Sequence, residues 1–436
     1  MPVEFRNFIS NQLNSYSGKF GCWPEASIFP RQRVTAALAL NFYLSFVMNK
    51  ILPLICMVLI AGCTARKTDK PMTSQPAADS VTSNPPDSGA VAAETKVQTP
   101  QVYTLTNAHG VKIKVTEFGG KVISLLVPDR TGKLGDVVLG YDDPNSYLKG
   151  NPYFGALIGR YGNRIGKGLF ELDGVTYLLT KNNNGNSLHG GPGGFHNVFW
   201  KVVPGKSKDG QKLDLYYESH NGEEGYPGNL IVKVTYTLTE KDELVIDYEA
   251  STDKTTVINL SHHSFFNLTG DPTKDILGHT IMINADQFTP VDAGLIPTGE
   301  LKSVKGTPFD FSKPVAIGER IDQNDEQLKF GKGYDHNFVL RRKDNNLMLA
   351  AAVHEPVSGR VMDVWTTEPG LQFYSGNFLD GKDVGKGGIP YQFRSAFCLE
   401  AQHYPDSPNH KNFPSTILKP GEMYRQKTIY KFSVDK

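Results

Sequence analysis

One glutamate in this chain follows directly on an apolar run, and it is well placed to move a proton. Ala396, Phe397, Cys398 and Leu399 read as a short strand packed on both faces, and Glu400 comes next. A carboxylate at the end of such a strand is partly desolvated, so it needs a cationic partner or a purpose. Tyr404, Pro405, Pro408 and Asn409 then turn the chain into a loop. A free glutamate has a pKa of about 4.3 and is ionised at neutral pH, which suits a general base. An ion pair with an Arg or Lys is the structural alternative.

Four other segments carry polar groups that such a base would need around a substrate. Asn163 and Arg164, in Gly-Arg-Tyr-Gly-Asn-Arg-Ile, offer adjacent amide and guanidinium donors that match sugar hydroxyls. No strand–glycine loop–helix unit surrounds them, so a phosphate loop is not indicated. His189 lies in a loop with glycines on both sides, where the backbone can approach a ligand closely. In residues 259–268, period-2 alternation puts Asn259, Ser261, His263, Phe265 and Asn267 on one face. That face is polar with an aromatic platform. His262 falls on the other, more apolar face and reads as a core histidine. Asp335 precedes a strand and offers acceptors, and Gln372 sits beside aromatics. A histidine-rich metal site lacks the His-Glu-x-x-His or paired-cysteine spacing it would require.

The elements that must position these residues are strands. From residue 101 onward, runs at 111–115, 121–127, 213–218, 230–239, 244–250, 280–283, 337–340, 347–354, 361–366, 372–374 and 428–434 alternate or carry β-forming residues. Asp173-Gly174 between two alternating runs predicts a hairpin over 169–179. Helix is scarce, with one short turn expected near 325–330. Many short strands argue for an all-β fold, a large antiparallel β-sandwich occupying 101–436 as one domain. Basic and acidic residues nearly cancel, 46 against 45, so nothing points to nucleic acid. A monomer is expected.

The first hundred residues read differently. Residues 1–47 do not look like a domain. Met48-Asn49-Lys50 opens a basic start, the next ten residues are almost wholly apolar, and Ala61-Gly62-Cys63 closes the run. That is a secretory signal too short to span a bilayer. Leu59-Ile60-Ala61-Gly62-Cys63 resembles a bacterial lipobox, in which Cys63 is lipidated and becomes the mature N-terminus. On this reading Met48 is the true start and 1–47 an upstream mis-start. Residues 64–100, rich in Ser, Thr, Pro, Ala and Asp, form a flexible tether. Thr64 after the cysteine, rather than Asp, leans toward the outer membrane. The expectation is a lipid-anchored protein of the cell envelope. Of Cys22, Cys56, Cys63 and Cys398 only the last would remain free, so no disulfide framework is expected.

Taken together and in order, these segments resemble the aldose 1-epimerase (galactose mutarotase) family. The similarity runs through Asn163-Arg164-Ile165, Ser187-Leu188-His189-Gly190-Gly191, His263-Ser264-Phe265-Phe266-Asn267-Leu268, residues 333–337, Gln372-Phe373-Tyr374 and Cys398-Leu399-Glu400. The resemblance implies a large antiparallel sandwich, Glu400 as general base and His263 as general acid. It implies sugar contacts at Asn163, Arg164, His189, Asp335 and Gln372, with Phe265 where the family often has Tyr. It implies a hexose substrate and no metal or organic cofactor, because mutarotation moves two protons and no electrons. Asp335 beside His263 is expected to raise the imidazole and favour its acid form. The alternatives are a non-catalytic carbohydrate-binding lipoprotein, or a glycosidase with Glu400 and Asp335 as its two carboxylates.

Overall fold

Side chains along a strand point alternately to opposite faces, so the pattern of apolar residues decides which face meets the core. The computed structural model describes residues 98–435 apart from Asn151. The expected mis-start, signal, Cys63 and nearly all of the tether lie outside the described residues. Within them the chain is almost wholly antiparallel β, as the strand pattern predicts. The single α-helix among the described residues, Glu326–Gly331, is capped by Asp325, whose side chain accepts from the backbone of Gln327 and Leu328.

The largest sheet has nine strands. Its centre is Leu230–Thr239, Glu243–Thr252, Tyr424–Val434 and Arg360–Thr366. Lys201–Lys206 forms one edge, and it tolerates Pro204 and Gly205 because only one side of an edge strand must be paired. Against this sheet packs a five-stranded one: Lys302–Ser303, Ala285–Phe288, Asp335–Leu340, Gly370–Tyr374 and Cys398–Gln402 in spatial order. Phe338, Leu371, Phe373, Leu399 and Ala401 point from it into a core shared with Val234, Tyr236, Ile246, Val364 and Tyr430 of the nine-stranded sheet. The Tyr430 hydroxyl donates to the Leu399 carbonyl across the layers at 2.8 Å. A four-stranded sheet, from Val102–Thr106 to Leu134–Asp136, closes one side. Leu169–Leu172 and Val175–Leu178 pair as the expected hairpin, with Asp173 at φ 52° and Gly174 at φ 75°, the twist a two-residue turn requires.

Candidate active site

With Leu399 and Ala401 turned into the core, Cys398, Glu400 and Gln402 must point out of the opposite face of the same strand. Glu400 therefore lies mid-strand, not at a strand end as expected. The polar Glu-Ala-Gln stretch looks like a terminus in sequence, yet its whole length is covered. Register sets its neighbours. Gln372 lies directly across from Glu400, and Asn337 directly across from Gln372. The Gln372 amide donates to Asp335 Oδ1 at 2.7 Å. Asp335 opens its strand rather than preceding it.

A second, smaller unit brings Arg164 and His189. Arg164–Ile165 pairs with Ser187–Leu188. Asn163 and His189 flank this pair with φ of 63° and 53°, a left-handed geometry in which Asn and His are over-represented. The Asn163 side chain caps the Arg164 backbone N–H at 2.9 Å, so its role is local. The backbone N–H of Asn163 donates to His189 Nδ1 at 3.2 Å. A neutral His189 then carries its proton on Nε2 and presents a donor. Arg164 Nη1 lies 3.7 Å from Asp335 Oδ2, joining this unit to the five-stranded sheet. Arg160, four residues earlier, is a structural residue: fully buried, it donates to the carbonyls of Pro227, Gly228 and Ser219.

The strand Ser261–His263 runs beside Cys398–Gln402 and brings His263 Nε2 to 3.6 Å from Glu400 Oε1. His263 Nδ1 lies 3.6 Å from Cys398 Sγ. Its ring is 5.0 Å from His189 and 5.7 Å from Tyr153. The expected ten-residue alternation does not hold, because only three residues are strand. Phe265 is buried against Phe154 and the back of His263, an apolar support rather than an open platform. Asn259 bonds the backbone of Gly162 and His403, and Asn267 that of Lys274 and Ser395. These two amides tie loops together. His262 faces the core, with Tyr236 and Ser264 as partners. Tyr153, at φ 71° and in ring contact with His189, His196 and His263, was not singled out in the sequence. A tyrosine in left-handed backbone has no periodic signature; only the contact reveals it.

Burial governs the electrostatics. It pushes the His263 imidazole down to about 4 and holds His189 well below its ordinary value, with His263 and Arg164 adding to the effect. It holds Glu400 well above the usual carboxylate range, reinforced by the Asp335 charge and opposed by Arg164. Asp335 is itself raised by burial, with Arg164 and Gln372 opposing. This corrects the expectation that Asp335 raises His263. Asp335 is held by Gln372 and Arg164, and its charge acts on Glu400 instead. Burial thus disfavours the charged form of both His263 and Glu400, which lie 3.6 Å apart and titrate as a coupled pair.

His189, His263 and Glu400 place one donor atom each within 4.8 Å of one another. A metal would need a lone pair at His189 Nε2, and the Asn163 contact leaves the proton there. The trio is better matched to hydroxyl groups than to a cation.

Residues 101–431 match the family model described as aldose 1-epimerase. The galactose mutarotase of Bos taurus is 48% identical over 324 residues, covering 74% of this chain and 92% of that protein. The aldose 1-epimerase of Escherichia coli (strain K12) is 38% identical over 334 residues, covering 76% and 95%. Among solved structures, an aldose epimerase homologue from C. elegans superposes with a TM-score of 0.71 at 29% identity, covering 77% of this chain and 100% of that one. A galactose 1-epimerase from Lactobacillus acidophilus NCFM gives 0.69 at 27% identity, covering 78% and 96%.

Proposed function

Because this chain belongs to the aldose 1-epimerase family, we infer that it interconverts the α and β anomers of a hexose such as glucose or galactose. It is an isomerase acting on carbohydrates. The observation that carries the mechanism is the 3.6 Å approach of His263 Nε2 to Glu400 Oε1 beside the polar set of Arg164, His189, Asp335 and Gln372.

The form that reacts with the closed sugar is the one in which the pair's proton is on His263 and Glu400 is the carboxylate. Glu400 takes the proton of the anomeric hydroxyl. His263 gives its Nε2 proton to the ring oxygen, and the bond from C1 to that oxygen breaks. An aldehyde and a free hydroxyl result, with Glu400 protonated and His263 neutral. Rotation about C1–C2 presents the other carbonyl face. His263 then takes the hydroxyl proton as the oxygen re-adds to C1, and Glu400 returns its proton to the carbonyl oxygen. The pair holds one proton at every stage. The buried site, which disfavours both charged forms, therefore favours the state that accompanies the open chain. Arg164, His189 and Gln372 hold the ring in line, and positioning is what makes the two transfers concerted. The glycosidase alternative is weakened because Asp335 is taken up by Arg164 and Gln372.

Polarimetry of freshly dissolved α-D-glucose and α-D-galactose tests this reading. Equilibration faster than buffer supports it; a folded protein that accelerates neither sugar counts against it. Asp335→Asn removes the like charge facing Glu400. The alkaline limb of the pH–rate profile is expected to move down toward the ordinary carboxylate range, with a higher KM from the loosened Arg164–Gln372 arrangement. An unmoved limb would show that Asp335 does not bear on the base.

We further propose that the protein is held at the cell envelope through a lipidated Cys63, facing the periplasm or in the outer membrane. The support is the signal-like run ending in Ala61-Gly62-Cys63 and the polar tether after it. Metabolic labelling with an alkyne fatty acid should mark the native protein and leave Cys63→Ala unmarked. Equal labelling of both would refute the anchor.

A further inference from the structure

A group of polar atoms beside Glu400 is left without partners among the described residues. Asn337, Gln372, Glu400 and Gln402 are each no more than 2% exposed. Both side-chain polar atoms of Asn337 and of Gln402, Oε1 of Gln372 and Oε2 of Glu400 have no hydrogen-bond partner among the described residues. They are not scattered. Asn337, Gln372 and Glu400 form one cross-strand row, and Gln402 lies in the next row, opposite Gly370. All project from the face turned away from the apolar core. Gly370, lacking a side chain, makes room in that face for its neighbours. A Cβ there would collide with Asn337 Oδ1 and press on the Tyr404 ring, so Asn337 leans over Gly370 beneath Tyr404.

Buried polar groups in proteins are satisfied by the protein or by ordered water, and a buried water needs two to four such partners. Here the partners are present and the described residues supply none of these bonds. We propose that Asn337 and Gln402, on either side of Gly370, hold ordered water that hydrogen-bonds the free oxygen of Glu400, making them positioning residues for its proton transfer. Water fits better than a sugar hydroxyl because both amides are buried, with Asn337 beside the Tyr404 ring over Gly370.

The consequence is electrostatic and rests on Glu400 being the base. The titratable groups around Glu400 are Asp335 from the next-but-one strand, Arg164 and His189 from the smaller unit, His263 beside it, Cys398 and Tyr374 within the sheet, and Tyr430 from the nine-stranded sheet. Of these only Arg164 favours the carboxylate through its charge, and it is shared with Asp335. Water donating to Oε2 would supply the missing stabilisation of the ionised form.

Gln402→Met and Asn337→Leu remove the amides at similar bulk. A thermal melt on each variant checks that it folds. Losing the water should raise Glu400 by about one pK unit, giving a kcat about 10-fold lower at unchanged KM. The alkaline limb should move up by the same amount. A folded variant with full kcat and an unmoved limb overturns the proposal. So does a raised KM with an unmoved limb, which would mean direct sugar contact. A high-resolution crystal structure of the unaltered protein decides independently of the variants' folding: water between Gln402 and Glu400 Oε2 supports the proposal, and its absence refutes it. Glu400→Gln run alongside separates the cases, since an active Glu400→Gln would sink the base assignment itself.

Discussion

Glu400→Gln is expected to lower kcat for anomer exchange by about 10²–10⁴-fold, the usual contribution of one positioned proton-transfer group. The replacement keeps shape and leaves the backbone ladder to Gln372 untouched. It removes the only carboxylate within reach of His263 among the described residues. KM should change little, because Arg164, Asp335, His189 and Gln372 remain in place. Stability should not fall, since a neutral amide at a fully buried position replaces a group whose charged form burial disfavours. Polarimetry against the buffer rate, with a thermal melt on the same sample, reads both quantities. A fully active, folded Glu400→Gln would remove this residue from the mechanism.

His263→Asn is expected to cost a similar factor, and its pH dependence carries more information than its size. In the unaltered protein the rate should fall as pH drops through about 4, where His263 and Glu400 are both protonated and no acceptor is left. It should fall again above the raised value of Glu400, where the pair has lost its proton. Between the two limbs the profile should be flat. Without the imidazole the acid limb near 4 has no source. The residual rate should instead rise with pH as Glu400 ionises, with no falling limb beyond it. The double variant should be little worse than either single one, because the two groups act as a unit. A retained acid limb near 4 in His263→Asn would assign that limb to another group.

Much of this was legible in the chain itself. Strand alternation marks the sandwich because a half-buried strand must alternate, whatever its partners. The Asp173-Gly174 turn is local chemistry and appears where expected. Asn163, Arg164, His189, His263, Asp335, Gln372 and Glu400 were all picked out by residue type and order, and the structure brings them together. Other features depended on distance in the chain. The edge strand Lys201–Lys206 had no strand expectation in the sequence, because whether a strand has one neighbour or two is a tertiary fact. The strand ends at His263 instead of running on to Leu268, because beyond it the backbone bonds distant segments: the Phe266 N–H donates to the Phe397 carbonyl and the Asn267 N–H to that of Val137.

The sequence by itself determined which side chains exist to do acid–base chemistry and the period of the strands that carry them. Only the tertiary structure decided that positions 337, 372 and 400 are neighbours, since cross-strand register joins residues with no sequence relation. It also decided their protonation. A free histidine and a free glutamate would both be largely charged at mildly acidic pH. Burial on the outer face of the five-stranded sheet, beside His189 and Arg164, reverses that for His263 and Glu400. The depth at which a side chain lies, which sets that reversal, is a property of the whole fold and not of the residues beside it in the chain.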